Sequence, residues 1–267
     1  IQTLYALQNK QTINPIVVTP VRGAIHRIIS NLGQMPLMKL EIGKEQSLDL
    51  LVRHLSSLAY SRTDLVERRG EFAVRGGIVD LFLPLSNHPI RIDFFSDEIE
   101  DLSYFEVADQ RTFAPVVGSV EIYPCREMLL TPEVKHRAIE VKDTYPAAAE
   151  MLEKISAGIA FEGMESLIPL LIDETETLLS RMPANTQIVF IDEQRIRSRA
   201  ADLLATNEEF LNASWSNAAL GGIAPLHDGA GTYISWDELK DEIISTAVTT
   251  AELSPFGTDL EQDTLFL

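Results

Sequence analysis

The sequence predicts a mixed fold, part α/β and part α+β: a small antiparallel sheet domain with a covering helix, set between pieces of α/β structure. Three observations predict it. Residues 65–123 hold short runs of alternating apolar and polar side chains, punctuated by Gly, Pro, Asn and Asp, which is the pattern of half-buried strands joined by turns. Just before them, residues 47–59 carry apolar side chains at helical spacing. On both sides, short wholly apolar runs lead directly into helical periodicity, the pattern of strands feeding helices on a parallel sheet. The length of 267 residues fits about two domains, and 45% hydrophobic with 23% charged residues is globular composition.

At the start, Ile16, Val17 and Val18 read as a short buried strand. Thr19 and Pro20 supply an N-cap and an N1 proline, and Ile25, Ile28, Ile29 and Leu32 follow on one face of a helix. This is half of a βαβ unit, and with Ile as first residue the chain is expected to be an internal piece of a longer cytoplasmic protein. Ser47 caps the second helix, and Leu48, Leu51, Val52 and Leu55 form its stripe. Residues 71–74 form a strand, bent at Arg75-Gly76-Gly77. It resumes over 78–83 and stops at Pro84. Residues 90–95 and 98–105 form a hairpin about the two-residue turn Ser96-Asp97.

Beyond the meander, Thr131-Pro132 opens a helix. Met151, Leu152 and Ile155 mark another, which Gly158 ends. Residues 188–191 are an apolar strand, followed by a helix bearing Ile196, Ala200, Leu203 and Leu204. Tyr233-Ile234 reads as a strand, and Ser235 with Glu238 as a capping box before Leu239 and Ile243. The tail, 247–267, reads as a linker or frayed end.

Charge excludes some functions. The formal net charge is -18, and residues 113–267 carry -16 of it, against +3 for residues 1–60. Such a surface repels phosphate, so nucleic-acid binding by bulk charge is not expected. A single cysteine, Cys125, excludes an internal disulfide and a Cys-cluster zinc site. No apolar stretch approaches the roughly 20 residues of a membrane helix.

The search for chemistry returns little. Gly43-Lys44 is followed by Glu45, so no phosphate-binding loop forms there. His26, His54, His88, His136 and His227 have no second histidine at metal-ligand spacing and read as structural or solvated. Asp192-Glu193 after a buried strand has the look of a magnesium-holding pair, but without a phosphate loop the better reading is helix N-terminal acids complementing the dipole. Asp97, Glu98, Glu100 and Asp101 sit at an exposed turn and stay ionised. We therefore expect no catalytic residue, cofactor or metal, and no enzyme activity from this segment.

Strand parity yields a different kind of site. Ile90, Ile92 and Phe94 share one face, which must meet the covering helix. Arg91 and Phe95 then lie on the open face, and Arg75 projects from the bend of the neighbouring strand. An aromatic beside arginines is the usual composition of a protein-binding hot spot. The basic run Arg62, Arg68, Arg69 and Arg75 divides between that role and a solvated edge balanced by Asp64, Glu67 and Glu71.

At these residues a family resemblance emerges. The run from Val66 to Phe82 (Val-Glu-Arg-Arg-Gly-Glu-Phe-Ala-Val-Arg-Gly-Gly-Ile-Val-Asp-Leu-Phe) resembles a segment shared by UvrB and the transcription-repair coupling factors (Mfd). So does Pro89 to Glu100, with Gln110-Arg111-Thr112 after it. Gly158-Ile159, Glu162 to Leu171, Leu178-Leu179 through Thr186, and Arg197 to Leu203 resemble the coupling-factor continuation, most nearly in actinobacterial versions. UvrB also carries a phosphate loop and a DNA-clamping hairpin, and this sequence shows neither.

The resemblance implies the end of a degenerate RecA-like domain 1a over 1–38, a UvrA-binding domain 2 over 39–120, domain 1b over 121–246 and a linker over 247–267. It implies UvrA as the partner, and it places the family's UvrA-facing arginines and phenylalanine on Arg75, Arg91 and Phe95. It also implies RNA polymerase and DNA as partners of the longer protein through domains absent here, and no membrane. The alternative is a fragment of a UvrB-like, nucleotide-dependent enzyme of DNA-damage recognition.

Overall fold

A computed structural model describes residues 1–8, 15–30, 32–183, 185–219, 232–246 and 248–254, with the backbone alone at 147 and 210–219. It is a mixed helix-and-strand fold in two compact units, one of Ile1–Gln8 and Asn31–Asp173, the other of Asn9–Ser30 and Glu174–Leu267. His227 lies outside the described residues.

In the first unit the strand Met38–Glu41 pairs antiparallel with Ser119–Ile122, so the segment's first and last strands lie side by side. Between them runs a six-stranded sheet: Ser61–Arg62, Glu71–Arg75, Ile78–Leu81, Ile90–Phe95, Glu98–Phe105 and Thr112–Pro115, in chain order. The first pair is parallel and the rest antiparallel, as short turns require. The helix Leu48–Ser57 covers one face. Its Leu51 and Leu55 are fully buried against Phe72, Val79, Ile92 and Leu102, the side chains that strand alternation turns inward. Burying one such side chain stabilises by roughly 1.5–3 kcal/mol relative to exposure.

The opposite face carries a second, smaller cluster of Val66, Ala73, Phe82 and Phe105. It is not the open face that alternation predicts. The segments before and after the meander fold onto it: the Gln110 side chain donates to the Val66 carbonyl at 3.2 Å and to the Val107 carbonyl at 2.9 Å.

Gly70 holds one corner of this domain. Its φ is +85°, and a Cβ there would run into the sulfur of Cys125. Gly70→Ala combines left-handed backbone with that clash, so it is expected to destabilise the domain by more than about 1 kcal/mol. Urea unfolding followed by circular dichroism measures this.

Two helices follow. In Pro132–Val141 the Thr131 hydroxyl accepts from the Val134 amide at 3.3 Å. Ala149–Ser156 ends on Gly158 at φ +76°, with the amides of Ile159 and Gly158 bonded back to the carbonyls of Lys154 and Ile155 at 2.8 and 2.9 Å. That pairing is a Schellman cap.

The second unit departs most from the sequence pattern. Residues 16–18 are not a strand, and Ile16 and Val18 are about nine-tenths exposed. The helix is only Val21–Ile25, with Pro20 at its N-cap position. The chain turns extended at His26, and Ile28–Ile29 pairs with Thr175–Glu176 instead of continuing the stripe. Tertiary hydrogen bonds explain the difference, since the Arg27 amide donates to the Thr232 carbonyl at 2.9 Å and Ser30 to Glu174 at 3.3 Å.

Gln187–Ile191 is a strand, but only Phe190 is buried; Val189 and Ile191 are exposed. It pairs in parallel with Thr249–Leu253, so part of the expected linker is a strand, joined to it in register. Tyr233 forms a single bridge to His26 rather than a strand. The capping box is present: the Glu238 amide donates to Ser235 Oγ at 3.1 Å, and the Ser235 amide to Glu238 Oε2 at 2.6 Å. These bonds hold the Glu238 carboxyl below its ordinary range. Asp192 Oδ1 accepts from the Arg195 amide at 3.1 Å, and Glu193 pairs with Lys240 at 2.9 Å, so both acids serve the helix start and its neighbour.

Candidate partner-docking site

The strand register puts the predicted residues into two rows of one sheet face. Ala73, Asp80, Arg91 and Ser103 stand side by side across four strands. Arg75, Ile78, Asp93 and Asp101 form the adjacent row. Asp80 is thus directly opposite Arg91 and diagonal to Arg75. It is 1% exposed, so its charge must be met from within the protein.

Both arginines meet it. Arg91 Nε donates to Asp80 Oδ1 at 2.7 Å and its Nη2 to Oδ2 at 2.9 Å, a two-pronged pair. Arg75 Nη2 donates to the same Oδ2. The third arm of Arg91, Nη1, donates to the Gln110 carbonyl at 3.2 Å, and its guanidinium lies 4.8 Å from the centre of the Phe105 ring. The hydrogen bonds to Asp80 raise the Arg91 pKa further above its ordinary value. Gln110 holds its place in left-handed backbone, φ +61°.

The three predicted side chains are therefore unequal. The Arg75 side chain is 46% exposed and the Arg91 side chain 17%. Phe95 is 73% exposed, at the end of its strand beside Ser96, whose φ of +57° makes the turn. Alternation alone put Arg91 outward with Phe95; the structure turns it onto Asp80 instead. Sequence reasoning missed Asp80 and Gln110. The signal for Asp80 was present: a lone acid inside the apolar run Ile78-Val79-Asp80-Leu81-Phe82 needs a cationic partner once that strand is buried.

Around this centre Asp97, Glu98 and Glu100 are exposed at the hairpin turn, on the same end as Phe95. Arg62, Arg68 and Arg69 are exposed as well, with Arg69 Nε donating to the Ser86 carbonyl at 2.9 Å. Among the described residues no group of three His, Cys, Asp or Glu side chains could hold a metal, and no helix is long and apolar enough to cross a membrane.

Asp93 faces Asp101 directly across the hairpin. Burial first, and then the Asp101 charge, raise the Asp93 pKa above the ordinary carboxylate value. The raised folded-state value means the ionised form is penalised on folding; the penalty is present above that pKa and relieved as pH falls through it. Asp93→Asn is expected to stabilise the domain at pH 7 by about 0.5 kcal/mol, after solvent screening, with the gain shrinking toward pH 3. Thermal melts at the two pH values check the sign.

The sheet thus presents an exposed phenylalanine and a half-exposed guanidinium. Residues 38–128 match the UvrB interaction domain family, a span that starts at the first closing strand and runs just past the second. Over most of its length the chain is 43% identical, across 216 residues and 77% of the chain, to the transcription-repair-coupling factor of Mycobacterium bovis, covering 18% of that protein. It is 31% identical over 258 residues, 91% of its length, to that of Escherichia coli, covering 21%, and 30% identical over 217 residues, 74% of its length, to that of Bacillus subtilis, covering 18%. The chain belongs to the transcription-repair-coupling factor family, and it spans about a fifth of the length of these relatives.

Proposed function

We propose that this chain is a non-catalytic adaptor module that recruits UvrA to RNA polymerase stalled at DNA damage, as part of nucleotide excision repair. The observation that carries the reading is the exposed Phe95 together with the half-exposed Arg75, on two strands of one sheet inside a UvrB interaction domain. Large aromatics and arginines concentrate binding energy when a partner excludes water from them. Phe95 supplies the apolar anchor, and the outer edge of Arg75 pairs with a carboxylate on UvrA. Contacts with polymerase and DNA belong to parts of the longer relatives that this chain does not span. No step in this role requires nucleotide hydrolysis.

Titration calorimetry of the chain against purified UvrA tests it. Saturable 1:1 heat that disappears with Phe95→Ala supports the reading. Absence of binding by the wild-type chain, or unchanged affinity in the variant, overturns it.

A further inference from the structure

The family resemblance gives Arg75 and Arg91 the same partner-facing role. Their hydrogen bonds do not. The Arg91 Nε, Nη1 and Nη2 groups each donate within the protein, to Asp80 or to the Gln110 carbonyl. Its side chain is packed on Phe105 and mostly covered. Arg75 spends Nη2 on Asp80 and turns its remaining edge to solvent, with nearly half of the side chain exposed. Asp80 neutralises one guanidinium charge of the two, so the Arg75–Asp80–Arg91 cluster taken by itself keeps one positive charge, and Arg75 is its more exposed bearer.

Resting on the UvrA reading, we propose that Asp80 is a positioning residue: it commits Arg91 to the scaffold and holds Arg75 in the orientation that meets a carboxylate on the partner. Arg91 then acts as a buttress rather than a contact. A guanidinium held in place before binding loses less rotamer freedom on association than a free one, which is where the affinity gain arises.

The test combines arginine-selective modification by phenylglyoxal, read by mass spectrometry, with UvrA calorimetry. In the wild-type chain Arg75 should react and Arg91 resist, and added UvrA should protect Arg75 without altering Arg91. In Asp80→Asn, which keeps the shape and loses the charge, Arg91 should become reactive and UvrA affinity should fall at least about tenfold. In an Arg75→Ala background the same Asp80→Asn change should cost little further affinity, which a merely structural role would not produce.

Asp80→Asn binding like wild type while Phe95→Ala fails to bind overturns the positioning role and leaves the docking reading standing. Wild-type chain that does not bind UvrA overturns both. Should Asp80→Asn not fold, the wild-type footprint decides: UvrA protection of Arg91 as strongly as Arg75 overturns the division of roles.

Discussion

Arg91→Ala is expected to lower the unfolding free energy of the sheet domain by about 3 kcal/mol, the lower end of the cost of breaking a buried ion pair. Asp80 is 1% exposed and cannot reach water by rotating. It loses a two-pronged partner and keeps only the single bond from Arg75. The Gln110 carbonyl also loses its guanidinium donor, and Phe105 loses its stacked cation. Removing the acid instead is milder, because a long arginine can extend to solvent while a short buried carboxylate cannot. Arg75→Ala should leave stability within about 0.5 kcal/mol, since Asp80 retains both Arg91 bonds. Denaturant titrations of the three variants should therefore rank Arg91→Ala least stable, Asp80→Asn intermediate and Arg75→Ala near wild type. An Arg91→Ala protein as stable as wild type would show that Asp80 does not depend on it.

Phe95→Ala is expected to reduce UvrA affinity by roughly 30-fold or more, at unchanged stability. A hot-spot aromatic costs at least about 2 kcal/mol of binding on truncation, and often more. The side chain is 73% exposed in the free chain, so little packing is lost when it is cut back. Calorimetry reads the affinity and a thermal melt the stability. A variant that melts several degrees lower would mean that Phe95 supports the fold, and its binding defect would then carry no information about docking.

The sheet domain was legible because its physics is local. Alternation over Ile90, Arg91, Ile92, Asp93 and Phe94 assigns faces directly, and Ser96-Asp97 marks the hairpin turn. The helix Leu48–Ser57 lies within the predicted 47–59 for the same reason: Leu51 and Leu55 fall on one stripe. What parity could not supply is the fate of the second face. Alternation says which side chains point away from the helix, and nothing about whether other segments return to cover them. Val66 and Gln110 come from outside the strands, and their return turns Arg91 from a solvent-facing side chain into a mostly covered one.

The second unit was less legible because its pairings span long sequence separations. Ile28 and Ile29 fit a helical stripe with Ile25, yet their strand forms with Thr175–Glu176. Gln187–Ile191 finds its parallel neighbour in Thr249–Leu253, a Thr-rich stretch whose composition reads as linker. No local pattern in either segment announces its partner.

Met38–Glu41 lying against Ser119–Ile122 has a practical meaning for engineering. The chain enters and leaves the sheet domain at neighbouring points, so the whole unit resembles a cartridge with both connectors on one side. Grafted into a surface loop of an unrelated scaffold, residues 38–122 would demand almost no spacing between the acceptor's two ends.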